Sequence, residues 1–214
     1  DVDAEAYDRL HTLMKAELQL HRSLNFLSTG IKNKQGIEQG TGCAAVEKVV
    51  GELAGFGSLS TFGLLDWDRT RTPSGRIHVL AQGTHYAFDN VILHPLLVGL
   101  LLIRNGKPPA EDLPRFVGID RLENEELQRI ADAVQSKLSY PNDATKERVP
   151  ALFIRDLTIM TDAAFCLTTR HDLADALPPP FPSLTAFPLY PAQLARTLPA
   201  RALAYSPYFC RLPR

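Results

Sequence analysis

A cysteine, a histidine and an aspartate follow one another along the chain in the order that thiol-dependent acyl transfer needs. Cys43 comes after a glycine-rich segment and opens an amphipathic helix, His78 lies in an apolar strand, and Asp89 closes the next segment. A cysteine attacks as its thiolate, which the positive end of a helix dipole favours. A histidine oriented by a carboxylate removes the thiol proton. The three residues therefore predict a catalytic triad, with Cys43 as nucleophile, His78 as general base and Asp89 as its orienting partner.

Two further strands are predicted at residues 76–82 and 85–89, and a tight Gly-Thr turn connects them. The first strand carries His78 and the second carries Asp89. In that hairpin His78 lies directly opposite Asp89, and directly paired residues have Cβ atoms about 4.5–5.5 Å apart. A slip of one residue breaks this pairing. His85 flanks the same turn and is the alternative base.

The residues around the cysteine form the predicted substrate loop. Its members are Gly40, Thr41, Gly42 and Ala44. Glycine lets a substrate approach the backbone, and the unpaired N–H groups of a first helical turn can hold an oxyanion. We expect no metal and no tightly bound cofactor in this thiol site.

This arrangement resembles the arylamine N-acetyltransferase and transglutaminase-like branch of the papain-like cysteine enzymes. The resemblance rests on Gly42-Cys43, His78-Val79-Leu80-Ala81 and Tyr86-Ala87-Phe88-Asp89, within residues 10–90. It implies an α+β fold with a papain-like or transglutaminase-like core, in which an N-terminal helical lobe packs on a central antiparallel sheet. It also implies acyl transfer, or hydrolysis of an amide or thioester, through an acyl-cysteine. The substrate is then a small molecule or a protein amide, with an acyl-CoA or another thioester as co-substrate.

Two aspartates support a rival interpretation. The segment Leu64-Leu65-Asp66-Trp67-Asp68-Arg69-Thr70 resembles the apolar strand and DxDxT motif of the haloacid-dehalogenase phosphatases. In that family the first carboxylate attacks phosphate and the second is the acid and base, with magnesium. The resemblance therefore implies these roles for Asp66 and Asp68. A non-catalytic binding domain with a degenerate cysteine-enzyme core is the other alternative.

Composition limits the classes of partner. The 214 residues, 45% apolar and 22% charged, are enough to bury a core, and we predict a cysteine-enzyme-like catalytic domain at residues 1–177. The dense prolines that follow predict an extension at 178–214, which packs on this domain or is partly disordered. The net charge of −1 argues against nucleic acid as the main partner. No apolar run is long enough to span a bilayer. The three cysteines indicate free thiols, so we expect a cytoplasmic protein, with secretion of a processed chain as the alternative.

The elements that must position these residues follow from apolar periodicity. Helices are predicted at residues 4–24, 43–54 and 124–138, and further strands at 59–67 and 151–160. The buried face predicted for the second helix consists of Val46, Val49, Val50 and Leu53. The apolar run 91–103 fits a helix or a strand equally well.

Overall fold

The computed structural model of the chain describes residues 2–17, 19, 21, 23–35, 38–40, 42–113, 122–140, 147–153 and 157–186. Helices in these ranges are α1 (Val2–Glu17), α2 (Cys43–Gly55), α3 (Phe88–Ile92), α4 (Pro95–Arg104), α5 (Asn124–Gln135), α6 (Ala163–Leu167) and α7 (Arg170–Ala176). Strands are β1 (Ile31–Lys32), β2 (Glu38–Gln39), β3 (Gly63–Asp66), β4 (Ile77–Leu80), β5 (Arg148–Leu152) and β6 (Thr158–Asp162). A 3-10 helix covers Pro182–Ala186. This mixture of helices and small sheets is compatible with the predicted α+β class.

The described strands form separate two-stranded sheets rather than one central sheet. β1 pairs with β2 and β5 pairs with β6, both antiparallel, whereas β3 and β4 are parallel. The predicted central antiparallel sheet is therefore wrong for the strand that carries His78, which pairs with Leu64 of β3. A parallel neighbour requires the chain to cross back between the strands. Residues 67–76 make that return.

Helix α4 forms the centre of the core. Every residue from Pro95 to Ile103 is buried, which explains why the apolar run shows no clear period in the sequence. Helix α5 packs closely against it at Gly99, where an added Cβ would lie 2.4 Å from Cγ2 of Ile130. The apolar residues of α5 that repeat at helical spacing, Leu127, Ile130, Ala131 and Val134, are buried. The ambiguous run is therefore helical, with α3 ending just before α4 begins.

The segment predicted as one buried strand, residues 151–160, is a hairpin of β5 and β6. Its register pairs Ala151 with Ile159 and Leu152 with Thr158. In the sequence, the polar residues Arg155 and Asp156 interrupt the apolar pattern between the two strands. The single-strand prediction is wrong because it ignored this interruption.

Helix α2 begins at the predicted residue, but only part of its apolar face is buried. Val50 is buried, and a Cβ added to Gly63 of β3 would lie 2.8 Å from Cγ1 of Val46. Val49 and Leu53 are each 40% exposed, so the predicted burial of these two is wrong. A sheet of two strands is too narrow to cover the whole stripe.

The predicted extension begins on the core. Phe181 and Leu184 are buried, whereas residues 187–214 lie outside the described ranges. The described helices include none with the length and apolar character needed to cross a membrane.

Candidate functional site

The hairpin predicted to join His78 to Asp89 is not formed. After β4 the chain makes a wide turn, in which the His85 N–H donates to the Ala81 carbonyl at 3.0 Å. The chain then enters α3, which contains Asp89. Ala81 itself has a left-handed backbone with φ +51°. The turn therefore closes over more residues than a two-residue hairpin, and the strand predicted at 85–89 does not exist.

The predicted base and its carboxylate lie on different elements. The ring centroid of His78 lies 5.6 Å from that of Phe62. The Nε2 atom of His78 is buried and has no hydrogen-bond partner among the described residues. Asp89 is buried in α3. The strand pairing that was predicted to place Asp89 opposite His78 is absent, so the catalytic roles of these two residues stay predictions.

Cys43 is half-buried at the first residue of α2. Burial raises the pKa of its thiol, with the charges of Asp68, Glu47 and Asp66 acting in the same direction, and the charge of Arg71 lowers it. The net effect favours the neutral thiol at neutral pH. The triad requires the thiolate, so this environment does not supply the activation that the acyl-transfer prediction assumed.

The predicted substrate loop is described except for Thr41. Gly40 and Gly42 both have left-handed backbones, with φ +69° and +93°. Nothing lies within 4 Å of a Cβ added to Gly42. Ala44 is exposed. Access to the start of α2 is therefore open, whatever chemistry occurs there.

We expect iodoacetamide to alkylate Cys43 slowly at about pH 7 and faster as the pH rises past its raised pKa. Cys166 should stay unmodified in the folded protein because it is fully buried, and burial raises its pKa to about 12. Peptide mapping by mass spectrometry across the pH range checks both statements, with Cys43→Ser as the control. Rapid alkylation of Cys43 below about pH 7 would instead favour the acyl-cysteine enzyme.

Asp66 and Asp68 stand at the carboxyl end of β3. Asp66 is the last residue of the strand, and its Oδ1 accepts the Phe88 N–H at 2.9 Å. The N–H of Asp68 donates to the Tyr86 carbonyl at 2.9 Å, and its Oδ2 accepts Nε of Arg71 at 3.2 Å. Both aspartates are thus tied to the segment that enters α3.

Left-handed residues other than glycine concentrate at this end of the sheet. Asp68 and Arg69 follow β3 with φ +47° and +59°, and Ala81 follows β4. Each such conformation costs about 1–2 kcal/mol, and strain of this kind clusters at functional sites. In sheets with parallel strands, ligands bind outside the carboxyl ends. The left-handed residues and the two aspartates therefore lie at the same end of the sheet.

A buried amide fixes the start of α3. Asn90 accepts the Ala87 N–H through Oδ1 at 3.0 Å. Its Nδ2 donates to the carbonyls of Phe165 at 2.8 Å and Thr168 at 2.9 Å. Through Asn90, helix α6 and Thr168 therefore fix the position of the segment that is hydrogen-bonded to both aspartates. Sequence reasoning missed Asn90, whose partners lie 75 and 78 positions away.

We call Cys43, Asp66, Asp68 and Arg71 the carboxyl-end cluster. The charges of the last three act on the thiol, together with that of Glu47 in α2. Within the described ranges, no three His, Cys, Asp or Glu side chains are grouped so that they could hold a metal. Magnesium usually takes one or two carboxylates, together with water and phosphate oxygens. The carboxylate of Asp66, at the end of β3, fits that preference.

Comparison of the chain with protein-family models, with curated proteins and with solved structures finds no match in any of the three. The functional argument therefore depends on the geometry of the site.

Two buried histidines lie beyond β4. Nδ1 of His85 lies 3.1 Å from Oγ1 of Thr84. His94 accepts the Leu96 N–H through Nδ1 at 3.2 Å, and its Nε2 lies 2.7 Å from Oγ1 of Thr161. Burial lowers the pKa of His85 to about 4. Burial, and then the charge of His85, lower the pKa of His94 well below its usual value. Both imidazoles are therefore neutral at neutral pH. The low pKa of His85 makes it a weak proton acceptor, which counts against it as the alternative base.

These histidines predict a loss of stability in acid. A depressed histidine pKa means that the unfolded chain binds the proton first, so stability is complete above about pH 6.5 and falls as the pH drops toward 4. For His85 alone the loss is about 2 kcal/mol by pH 5. Urea unfolding at several pH values measures it, and His85→Gln should flatten the wild-type slope. A constant difference between the two proteins from about pH 7.5 to 5 would contradict this prediction.

Proposed function

We propose that the chain hydrolyses phosphate esters in a magnesium-dependent reaction at the carboxyl-end cluster. The observation that carries the proposal is the position of Asp66 at the end of a parallel strand, with its carboxylate held by the Phe88 N–H. The DxDxT resemblance implies the same use of Asp66 and Asp68. Acyl transfer has less support, because it required a hairpin that is not formed and a thiolate that burial disfavours.

In the first step, a carboxylate oxygen of Asp66 attacks phosphorus. The bond from phosphorus to the ester oxygen breaks, and the alcohol leaves with a proton from Asp68. The Phe88 N–H orients the attacking carboxylate by holding Oδ1. The product is an aspartyl phosphate at position 66.

In the second step, water attacks the same phosphorus atom and gives its proton to Asp68. The bond between phosphorus and Asp66 breaks, which releases inorganic phosphate and restores the carboxylate. Magnesium held by the carboxylate of Asp66 and by phosphate oxygens would neutralise phosphate charge that otherwise repels the attacking carboxylate, which leaves Asp68 free to carry the proton. The hydrogen bond from Asp68 to Tyr86 keeps the second carboxylate near this end of the sheet.

A phosphate-release assay tests the proposal. We expect the purified chain to release phosphate from phosphate monoesters with magnesium, and to lose this activity when EDTA is added. Asp112→Asn is a matched control, because Asp112 is an exposed partner of Arg129 outside the cluster. Failure to release phosphate from any monoester, with or without magnesium, would overturn the proposal.

A further inference from the structure

An arginine covers the second aspartate of the cluster. Arg71 reaches Oδ2 of Asp68 with Nε at 3.2 Å and Nη2 at 3.1 Å, so both prongs face one carboxylate oxygen. The pair is half-buried, with exposed side-chain fractions of 29% and 31%. The Arg71 N–H donates to the Trp67 carbonyl at 3.0 Å, which keeps the arginine in the turn after β3.

The same guanidinium geometry suits a phosphoryl group. Arginine presents paired donors that bind carboxylate and phosphate oxygens alike, and the dianion of a phosphate ester attracts it more strongly than one carboxylate does. Arg71 stands in the turn that follows the two aspartates, and its charge acts on the same Cys43 thiol as the charges of both aspartates do.

We propose that Arg71 is the phosphate-binding residue of this site, and that it exchanges Asp68 for the phosphoryl group of the substrate. The inference rests on the proposed function. In the free protein both guanidinium donors face Asp68, and a bound phosphoryl group takes up the same paired donors in its place.

Cys43 reports on this exchange without any catalysis. The positive charge of Arg71 favours its thiolate, so removal of the arginine should slow alkylation at a fixed pH. An anion bound at Arg71 should slow it as well, because negative charge near the sulfur disfavours the thiolate.

The test uses inorganic phosphate as the probe and the full chain as the protein. We expect phosphate to slow iodoacetamide modification of Cys43 at least about threefold near pH 8. In Arg71→Ala the modification should be slow from the start and indifferent to phosphate. Arg71→Lys keeps the charge but not the paired donors, so it should need about tenfold more phosphate for the same effect. Arg129→Ala removes an arginine from an exposed ion pair and should behave as wild type.

The outcomes separate this inference from the proposed function. A phosphate effect that is absent in the wild type, or that survives unchanged in Arg71→Ala, overturns the role of Arg71. If the chain hydrolyses esters but Arg71→Ala leaves KM unchanged, the inference fails and the function stands. If phosphate acts through Arg71 but no ester is hydrolysed, the anion-binding role stands and the phosphatase proposal fails. Thermal unfolding of each variant shows whether it is folded. If Arg71→Ala is unfolded, the response of Arg71→Lys to phosphate decides the test instead.

Discussion

Asp66→Asn is expected to lower kcat for phosphate release at least about 1000-fold while the protein stays folded. An amide cannot attack phosphorus as a carboxylate does. The asparagine Oδ1 can still accept the Phe88 N–H, so the hydrogen bond that ties β3 to α3 is kept. Steady-state kinetics and thermal unfolding of the same preparation measure the two effects.

Asp68→Asn separates the role of acid from that of nucleophile. A general acid contributes most when the leaving alcohol is a poor leaving group, so the loss should reach about 100–10,000-fold with alkyl phosphates and be smaller with aryl phosphates. Equal losses with both classes of ester would contradict an acid at Asp68. Retention of full activity in Asp66→Asn would contradict the nucleophile.

Asn90→Ala is expected to destabilise the fold by about 3–5 kcal/mol. The substitution removes three hydrogen bonds and leaves the N–H of Ala87 and the carbonyls of Phe165 and Thr168 without their partner. Asn90 is fully buried, so water does not replace these bonds without a change of structure. Urea unfolding measures the free energy of unfolding directly.

Two further variants sharpen this test. Asn90→Asp keeps the size and the acceptor for Ala87 but turns a carboxylate oxygen toward two carbonyls, so it should destabilise the protein at neutral pH to a similar degree. Asn105→Ala is the matched control, since Asn105 is exposed at the end of α4. A loss below about 1 kcal/mol in Asn90→Ala would show that the amide does not anchor α3.

Elements with a local signal are predictable from this sequence. Helix α2 begins at Cys43 after two glycines, and the stripe of α5 follows the helical period that its buried residues confirm. The apolar segment of α4 carries no such signal, because a helix surrounded by protein is apolar on every face. The uninterrupted apolar run indicates that the segment is buried. Only its packing against the rest of the chain decides whether it is a helix or a strand.

Long-range pairing accounts for the failed predictions. The pattern of β4 gives no indication whether its neighbour precedes or follows it, and the pairing with β3 outweighs the hairpin that the Gly-Thr pair suggested. The two residues of that pair belong instead to the turn that begins at Ala81. A buried anchor such as Asn90 is likewise invisible, because its partners come from α6.

The sequence alone predicts only part of the candidate site. The spacing of Asp66 and Asp68 is a local feature and could be read directly. The chemistry of Cys43 was not, because its pKa depends on burial and on charges from the turn after β3. Desolvation raises the pKa of the Cys43 thiol and is the largest of these effects, ahead of the opposing charge of Arg71.

The most direct test is to trap the phosphoryl group on the protein. The chain is mixed with a phosphate monoester and magnesium, quenched in acid within one turnover, and mapped by mass spectrometry. We predict one added phosphoryl group on the peptide that contains Asp66, and none in Asp66→Asn. Phosphorylation of Cys43 instead, or ester hydrolysis that continues unchanged in Asp66→Asn, would contradict the proposal.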